Sequence, residues 1–216
     1  MDLDLLSTIL GTIGIGSSFL PILLFFFGKK NTQNIYFKIL CIEILSINFL
    51  TLLLFLFTNY NQNNLFFWNT FVESVLLMFA FNYWSKEKKV LQKLTTILIF
   101  VNVAIFVLFY MILDFKFEER LSFYTLAMNI LLSFFSIYVV LDAYKNSIHD
   151  SLVKDKLFVF ASGLLLYNGL QVYVSMYDSL IRKDDYQLFL MTWPIVQIST
   201  VFYYTLLSRV VWISKK

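Results

Sequence analysis

The chain has 216 residues, of which 59% are hydrophobic, 19% aromatic and only 14% charged, with a net charge of +3. Soluble domains carry about 25% charged residues, and a chain of this size has too little interior to hide so much apolar surface, which excludes an ordinary water-soluble globule. The small net charge offers no argument for nucleic-acid binding, and Cys41, the sole cysteine, excludes an internal disulfide.

Crossing the roughly 30 Å hydrocarbon core of a bilayer takes about 20 helical residues, and the apolar residues fall into seven runs of about that length. The first, 5–27, follows MDLD rather than a basic stretch and is longer than a signal core, so it is expected to stay as a helix. Its residues Ser7, Gly11, Gly14 and Ser18, at steps of four, three and four, form a seam of small side chains that lets another helix approach closely. The seam predicts either packing within the chain or a contact with a protein partner or a second copy. Pro21, just beyond it, predicts a kink.

The second run, 35–58, contains Lys38, Cys41, Glu43 and Ser46. The third, 65–84, places Glu73 near its middle and Asn69 one turn away on the same face. In the fourth, 94–113, Asn102 stands alone. The fifth, 123–143, carries Thr125, Asn129 and Ser136, and the sixth, 156–177, carries Asn168, Gln171 and Ser175. The seventh, 188–214, carries Gln197, Thr200, Tyr204 and Ser208 below Trp193 and Pro194. Short polar stretches such as GKKNTQN, NYNQNN and DFKFEERLS connect the runs. Segments such as LTLLLFLF are apolar on all sides, which excludes the alternation of a membrane barrel. The expected fold is therefore all-α: a polytopic seven-helix membrane bundle, a single domain over residues 1–216.

Lys and Arg are retained on the cytoplasmic side of short loops. The first, third and fifth loops together with the C-terminal end carry twelve of the 17, the opposite set carries four, and Lys38 lies inside the second run. The N-terminus is thus expected outside and the C-terminus in the cytoplasm, with the basic face turned toward the cytoplasmic leaflet.

A charged side chain at the middle of a bilayer costs about 2.5–3.5 kcal/mol on insertion scales, so each one should turn inward and have a purpose. With this orientation Asn69, Asn129, Gln171 and Gln197 fall in the outer half, with Glu73 near their floor, and Asn168 continues the stripe of the sixth helix. The expectation is a polar pocket open toward the outside, a ligand or ion site anchored by Glu73 with Glu43 as a second intramembrane carboxyl. The bland alternative is that the amides only join helix to helix.

Enzyme signatures are missing. His149 is the sole histidine, and the sequence has no H-E-x-x-H, no G-x-S-x-G, no phosphate-binding Gly loop and no Cys/His cluster, so no cofactor or metal is expected, and intramembrane chemistry stays open only for a carboxylate site at Glu43 and Glu73. Residues 188–213 contain no Lys, which removes the Schiff base that retinal requires. The 25 Phe and 13 Tyr are expected mostly in the core or facing lipid, and Trp68, Trp84, Trp193 and Trp212 near the helix ends form an interfacial belt.

The segments WNTFVESVLLMFAFNYW, LAMNILLSFFSIYVV, LFVFASGLLLYNGLQVYV and WPIVQISTVFYYTLL, in that order and spacing, give the chain a whole-length likeness, without a sharp motif, to known membrane proteins. It resembles a family of small seven-helix membrane proteins of bacteria with low genomic GC content, a family with no agreed activity. The resemblance implies a place beside membrane signalling components. Asn129 stands where such relatives tend to carry Glu, so no carboxylate pair between the third and fifth helices is implied here. The resulting expectation is a non-enzymatic sensory or partner subunit, multi-pass in the cell inner membrane. Its alternative is a channel, transporter or pore-forming effector in which Glu73 lines a cation or proton path.

Overall fold

The computed structural model describes residues 3–27, 38–39, 42, 46, 63–85, 88–112, 117–146, 152–180 and 186–214. Among them no strand occurs, and the all-α expectation holds. Most of the second run, including Cys41 and Glu43, lies outside the described residues.

The first run is two helices rather than one: α1 (Leu3–Ser17) and α2 (Phe19–Phe27), separated by a turn at Ser18. Pro21 accounts for the break. Its ring has no N–H to offer the carbonyl of Ser17 and would crowd that carbonyl in a continuous helix. The Ser17 hydroxyl donates to the Gly14 carbonyl at 2.7 Å, drawing one of the last carbonyls of α1 into a local bond.

Helix α3 spans Asn63–Trp84 and α4 spans Lys89–Val107, continuing as a π-helical turn over Leu108–Ile112. Then come α5 (Phe117–Asn146), a short 3-10 turn (Leu152–Lys154), α6 (Lys156–Leu180) and α7 (Tyr186–Ser214). Helix α5 starts six residues before the 123–143 span read from hydropathy. Charge in FEERLS marks a wet segment, but Glu, Arg and Leu are good helix formers and nothing there stops a helix. Helix α4 likewise begins at Lys89, ahead of its apolar run.

Asp155 explains where α6 begins. Its carboxylate accepts the backbone N–H groups of Leu157 at 2.8 Å and Phe158 at 3.4 Å, the donors that a helix start leaves without partners.

The chain divides into two compact units, Thr32–Met128 and Met1–Asn31 with Asn129–Lys216, the division falling within α5. In the first, α3 and α4 form a tight antiparallel hairpin. The Lys88 N–H donates to the Ser85 carbonyl at 2.8 Å to close the turn, and Asn82 Nδ2 crosses to Thr96 Oγ1 at 3.1 Å. Leu77, Met78, Ala80 and Phe81 of α3, with Leu91 and Phe106 of α4, are buried.

In the second unit α7 is the central element and packs against α1, α2 and α6. The Tyr167 and Tyr203 rings stack at 4.7 Å, and a Cβ on Gly163 would lie 3.0 Å from Leu206 Cβ. These two pairs set the antiparallel register of α6 against α7. Phe160, Ala161 and Leu164 face Leu207, Val210 and Val211 through that register, all of them buried.

Among the described residues two segments, Lys89–Met111 and Phe123–Asn146, are long and apolar enough to cross a bilayer. At 1.5 Å per residue their 23 and 24 residues reach about 35 Å.

Candidate functional site

Polar groups inside a helical protein either find partners or cost about 1–3 kcal/mol each, so tracing each buried polar atom shows which residues have structural work and which do not. The hydroxyls come first. Thr95 Oγ1 donates to the Leu91 carbonyl at 2.7 Å, Ser199 and Thr200 to the Val196 carbonyl at 2.7 and 2.9 Å, Thr205 to Val201 at 2.8 Å and Ser208 to Tyr204 at 2.7 Å. Each side chain bonds back to its own helix. The polar stripe of the seventh run is thus largely self-satisfied at Thr200 and Ser208.

The Thr32–Met128 unit contains a buried network that the sequence does not announce. Asn102, fully buried, donates through Nδ2 to Ser74 Oγ at 2.7 Å and accepts at Oδ1 from the Tyr124 hydroxyl, also at 2.7 Å. Ser74 passes its own proton to the Phe71 carbonyl at 2.8 Å, and its oxygen lies 3.4 Å from the Tyr124 hydroxyl. One side chain from each of α3, α4 and α5 is thereby joined in a closed set. Asn102, read from the sequence as solitary, is the hub.

An aromatic cluster adjoins this network. Phe106 meets Tyr124 edge-on at 5.9 Å, Phe71 at 4.1 Å, Trp68 at 5.0 Å and Tyr110, stacked, at 5.6 Å. These rings pack on one another rather than around an open centre, and Trp68 keeps one side exposed.

Asn69 and Glu73 of α3 lie one turn apart on a face neighbouring that of Ser74. Both are half-buried. The Asn69 Oδ1 atom is covered and has no hydrogen-bond partner among the described residues. This face therefore presents an amide oxygen without a donor one turn from a carboxyl group, an arrangement that can accept a proton donor or a cation.

The remaining expected site residues lie in the other unit. Asn129, at 8% exposure, and Asn168, at 2%, each hold an Nδ2 with no partner among the described residues. Ser133 and Ser136 on α5 have unpartnered hydroxyls of the same kind. Gln171 on α6 is half-buried. Gln197, buried on α7, lays its amide over Gly14 of α1, where any Cβ would overlap its Oε1. Gly14 of the small-residue seam is thus occupied by packing within the chain, and Ser18 is buried as well, while Gly11 is half-buried. The Ser7 side chain lies outside what is described.

The residues expected to share one pocket accordingly fall into two sets of opposite character. Asn69 and Glu73 present acceptors; Asn129 and Asn168 present spare donors. Glu43 is outside the described residues. Among the described residues no three of His, Cys, Asp and Glu gather as a metal site would require. Sequence reasoning missed Ser74 and Tyr124; the available signal was Asn102 itself, an amide in the middle of an apolar helix, which demands partners at the same depth on its neighbours. No family model, curated protein or solved structure matches the chain.

Proposed function

We propose that the chain is a non-enzymatic seven-helix protein of a bacterial inner membrane, with its N-terminus outside, acting as a sensory or partner subunit that takes its ligand at Glu73 and Asn69. The observation that carries the proposal is the covered, unpartnered Asn69 Oδ1 one turn from the Glu73 carboxyl. A half-buried carboxyl is costly wherever helices pack or lipid surrounds them, and the neighbouring Ser74–Asn102–Tyr124 set is already complete without it. Two acceptors side by side fit a cation or a cationic, proton-donating ligand. The two apolar segments of α4 and α5 support the membrane reading, as does the seven-run pattern of the sequence. The likeness to small seven-helix bacterial membrane proteins belongs to the same proposal, and a role beside signalling components is what that likeness implies. A protein partner would be met through helix faces, among them the part of Gly11 still uncovered in the small-residue seam.

The test is thermal unfolding of detergent-purified protein in rising concentrations of sodium, potassium or tetramethylammonium chloride. A cation held by the native state raises Tm in proportion to RT ln(1 + [L]/Kd). Glu73→Gln should abolish that rise while leaving the fold intact. A Tm profile identical in wild type and Glu73→Gln, for every cation, would remove Glu73 from the site.

A transport reading draws on the unpartnered polar flank of α5, at Asn129, Ser133 and Ser136. Proton or cation flux through protein in liposomes decides between the two. Flux lost in Glu73→Gln makes the chain a transporter or channel; silence, together with a protein that co-purifies in mild detergent, makes it a signalling subunit.

A further inference from the structure

Helix α4 has two opposite faces. Leu91, Thr95, Asn102 and Phe106 are buried, held against α3 and, through Asn102, against the Tyr124 hydroxyl of α5. On the other side Lys89, Lys93, Ile97, Phe100, Ala104 and Val107 follow one another at steps of four, four, three, four and three, which makes them one ridge. All six are exposed, Phe100 at 71%. The ridge changes character once: two lysines stand at its start, and from Ile97 onward it is apolar.

The charge at the basic end has no local counterweight. Residues 85–93, SKEKKVLQK, hold four lysines against Glu87, which lies outside the described residues. Residues 88–112 contain no Asp or Glu, so no carboxylate stands three or four places from Lys89 or Lys93. Other lysines of the chain differ: Lys145 follows Asp142 by three, and Lys154 and Lys156 flank Asp155. Lys89 and Lys93 are moreover like charges one turn apart, an arrangement that an anion between them relieves. Their height is fixed by the hairpin. The Lys88 N–H donates to the Ser85 carbonyl at 2.8 Å, and Asn82 Nδ2 donates to the Gln92 carbonyl at 3.3 Å and to Thr96 Oγ1 at 3.1 Å, tying the first turns of α4 to the end of α3. Trp84, which ends α3 beside this turn, suits the same headgroup level.

An occupant must match both parts of the ridge, an anion at the lysines and an apolar chain below them. Phe100 lies about 10 Å along the axis from Lys93 and Val107 about 21 Å, while one leaflet contributes about 15 Å of hydrocarbon. A second copy of the chain fits less well. Helices associate in lipid over small side chains, this ridge offers only Ala104 among bulky neighbours, and parallel copies would bring lysine against lysine. We propose that the exposed ridge of α4 binds an anionic phospholipid of the cytoplasmic leaflet, with the phosphate between Lys89 and Lys93 and an acyl chain along Ile97, Phe100 and Ala104. The site rests on the membrane reading and orientation proposed above, and is independent of the Glu73 site on α3.

Quenching by brominated lipid tests it. In a Cys41→Ala background, bimane is attached at Phe100→Cys or, as a reference, at Phe134→Cys on α5, a position 70% exposed. The protein is reconstituted in phosphatidylcholine vesicles containing brominated phosphatidylglycerol or brominated phosphatidylcholine. At Phe100→Cys the glycerol lipid should be preferred by about fivefold for each lysine it engages; at Phe134→Cys the two should quench alike. Lys89→Gln with Lys93→Gln should remove the preference and leave quenching by phosphatidylcholine unchanged, which shows that the fold is kept, whereas Arg at both positions should retain it. Equal quenching of Phe100→Cys by the two lipids, or a preference that survives the double Gln variant, would overturn the proposal with the membrane reading intact. Quenching at Phe134→Cys alone would mean that protein covers the ridge, and release of the brominated phosphatidylglycerol by inorganic phosphate would mean an anion site without a tail; either result overturns it. Absence of quenching at both positions would remove the membrane reading along with the site. Loss of cation-dependent Tm in Glu73→Gln bears on the Glu73 site alone.

Discussion

Removing one hydroxyl from the Ser74–Asn102–Tyr124 set gives the most quantitative test of the fold. Tyr124→Phe keeps the ring, and with it the edge-on contact to Phe106 at 5.9 Å, and deletes the 2.7 Å bond to Asn102 Oδ1. The amide oxygen is then left buried with no donor, because Asn102 Nδ2 faces Ser74 and the Ser74 proton is committed to the Phe71 carbonyl. An orphaned buried acceptor costs about 1–3 kcal/mol, whereas interhelical bonds in membrane bundles average about 0.6 and reach about 1.7 kcal/mol. A loss of roughly 1–2 kcal/mol follows for Tyr124→Phe. Asn102→Leu removes both 2.7 Å bonds, but Ser74 and the Tyr124 hydroxyl, 3.4 Å apart, can close on each other and recover part of the loss. In the double variant the orphaned oxygen no longer exists, so the effects are non-additive, with a coupling of about 1 kcal/mol. Reversible unfolding in mixed micelles measures each corner of the cycle. Additivity within about 0.3 kcal/mol would show that the three side chains are not joined and refute the reasoning.

Gly14→Ala should destabilise by about 1 kcal/mol in thermal unfolding, since its Cβ displaces the Gln197 amide. In a Gln197→Ala background the same change should instead stabilise by a similar amount, because alanine exceeds glycine by about 0.8–1.0 kcal/mol within a helix. Asp155→Ala removes the acceptor for the Leu157 and Phe158 N–H groups; it should cost about 1 kcal/mol and speed hydrogen exchange at those two amides, while Asp155→Asn should recover most of the loss. Asn82→Ala cuts the exposed 3.1 Å tie to Thr96 and should change stability by no more than about 0.6 kcal/mol in the same assay.

Helix content was legible because it depends on run length and on the absence of alternation, both of which composition controls. Ends were less so. Hydropathy stops where charge begins, but a helix continues through good helix formers, and thus α5 reaches back to Phe117 and α4 to Lys89. Pro21 was visible as a disturbance; that it divides α1 from α2 at Ser18 follows from the carbonyl four residues before it, a geometric detail that periodicity does not carry. At the site, the Asn69 and Glu73 pair is a property of one helix and could be read directly. The Ser74–Asn102–Tyr124 set could not, since its members are 28 and 22 residues apart and no single-helix spacing relates them. The seam around Gly14 predicted close approach correctly, while the identity of what approaches, the Gln197 amide, depends on which helix folds against it.

The two ways this chain handles its polar groups have a consequence for how it is made. On the membrane reading, a serine or threonine tied to its own carbonyl, as Thr200 and Ser208 of α7 are, brings no unmet hydroxyl into lipid. Asn102 has no such shelter: its amide is matched only once α3 and α5 stand beside α4. On the membrane reading, Asn102 is therefore a polar group that α4 carries unmatched until its neighbours arrive, and a mark that quality-control proteases could meet if assembly stalled.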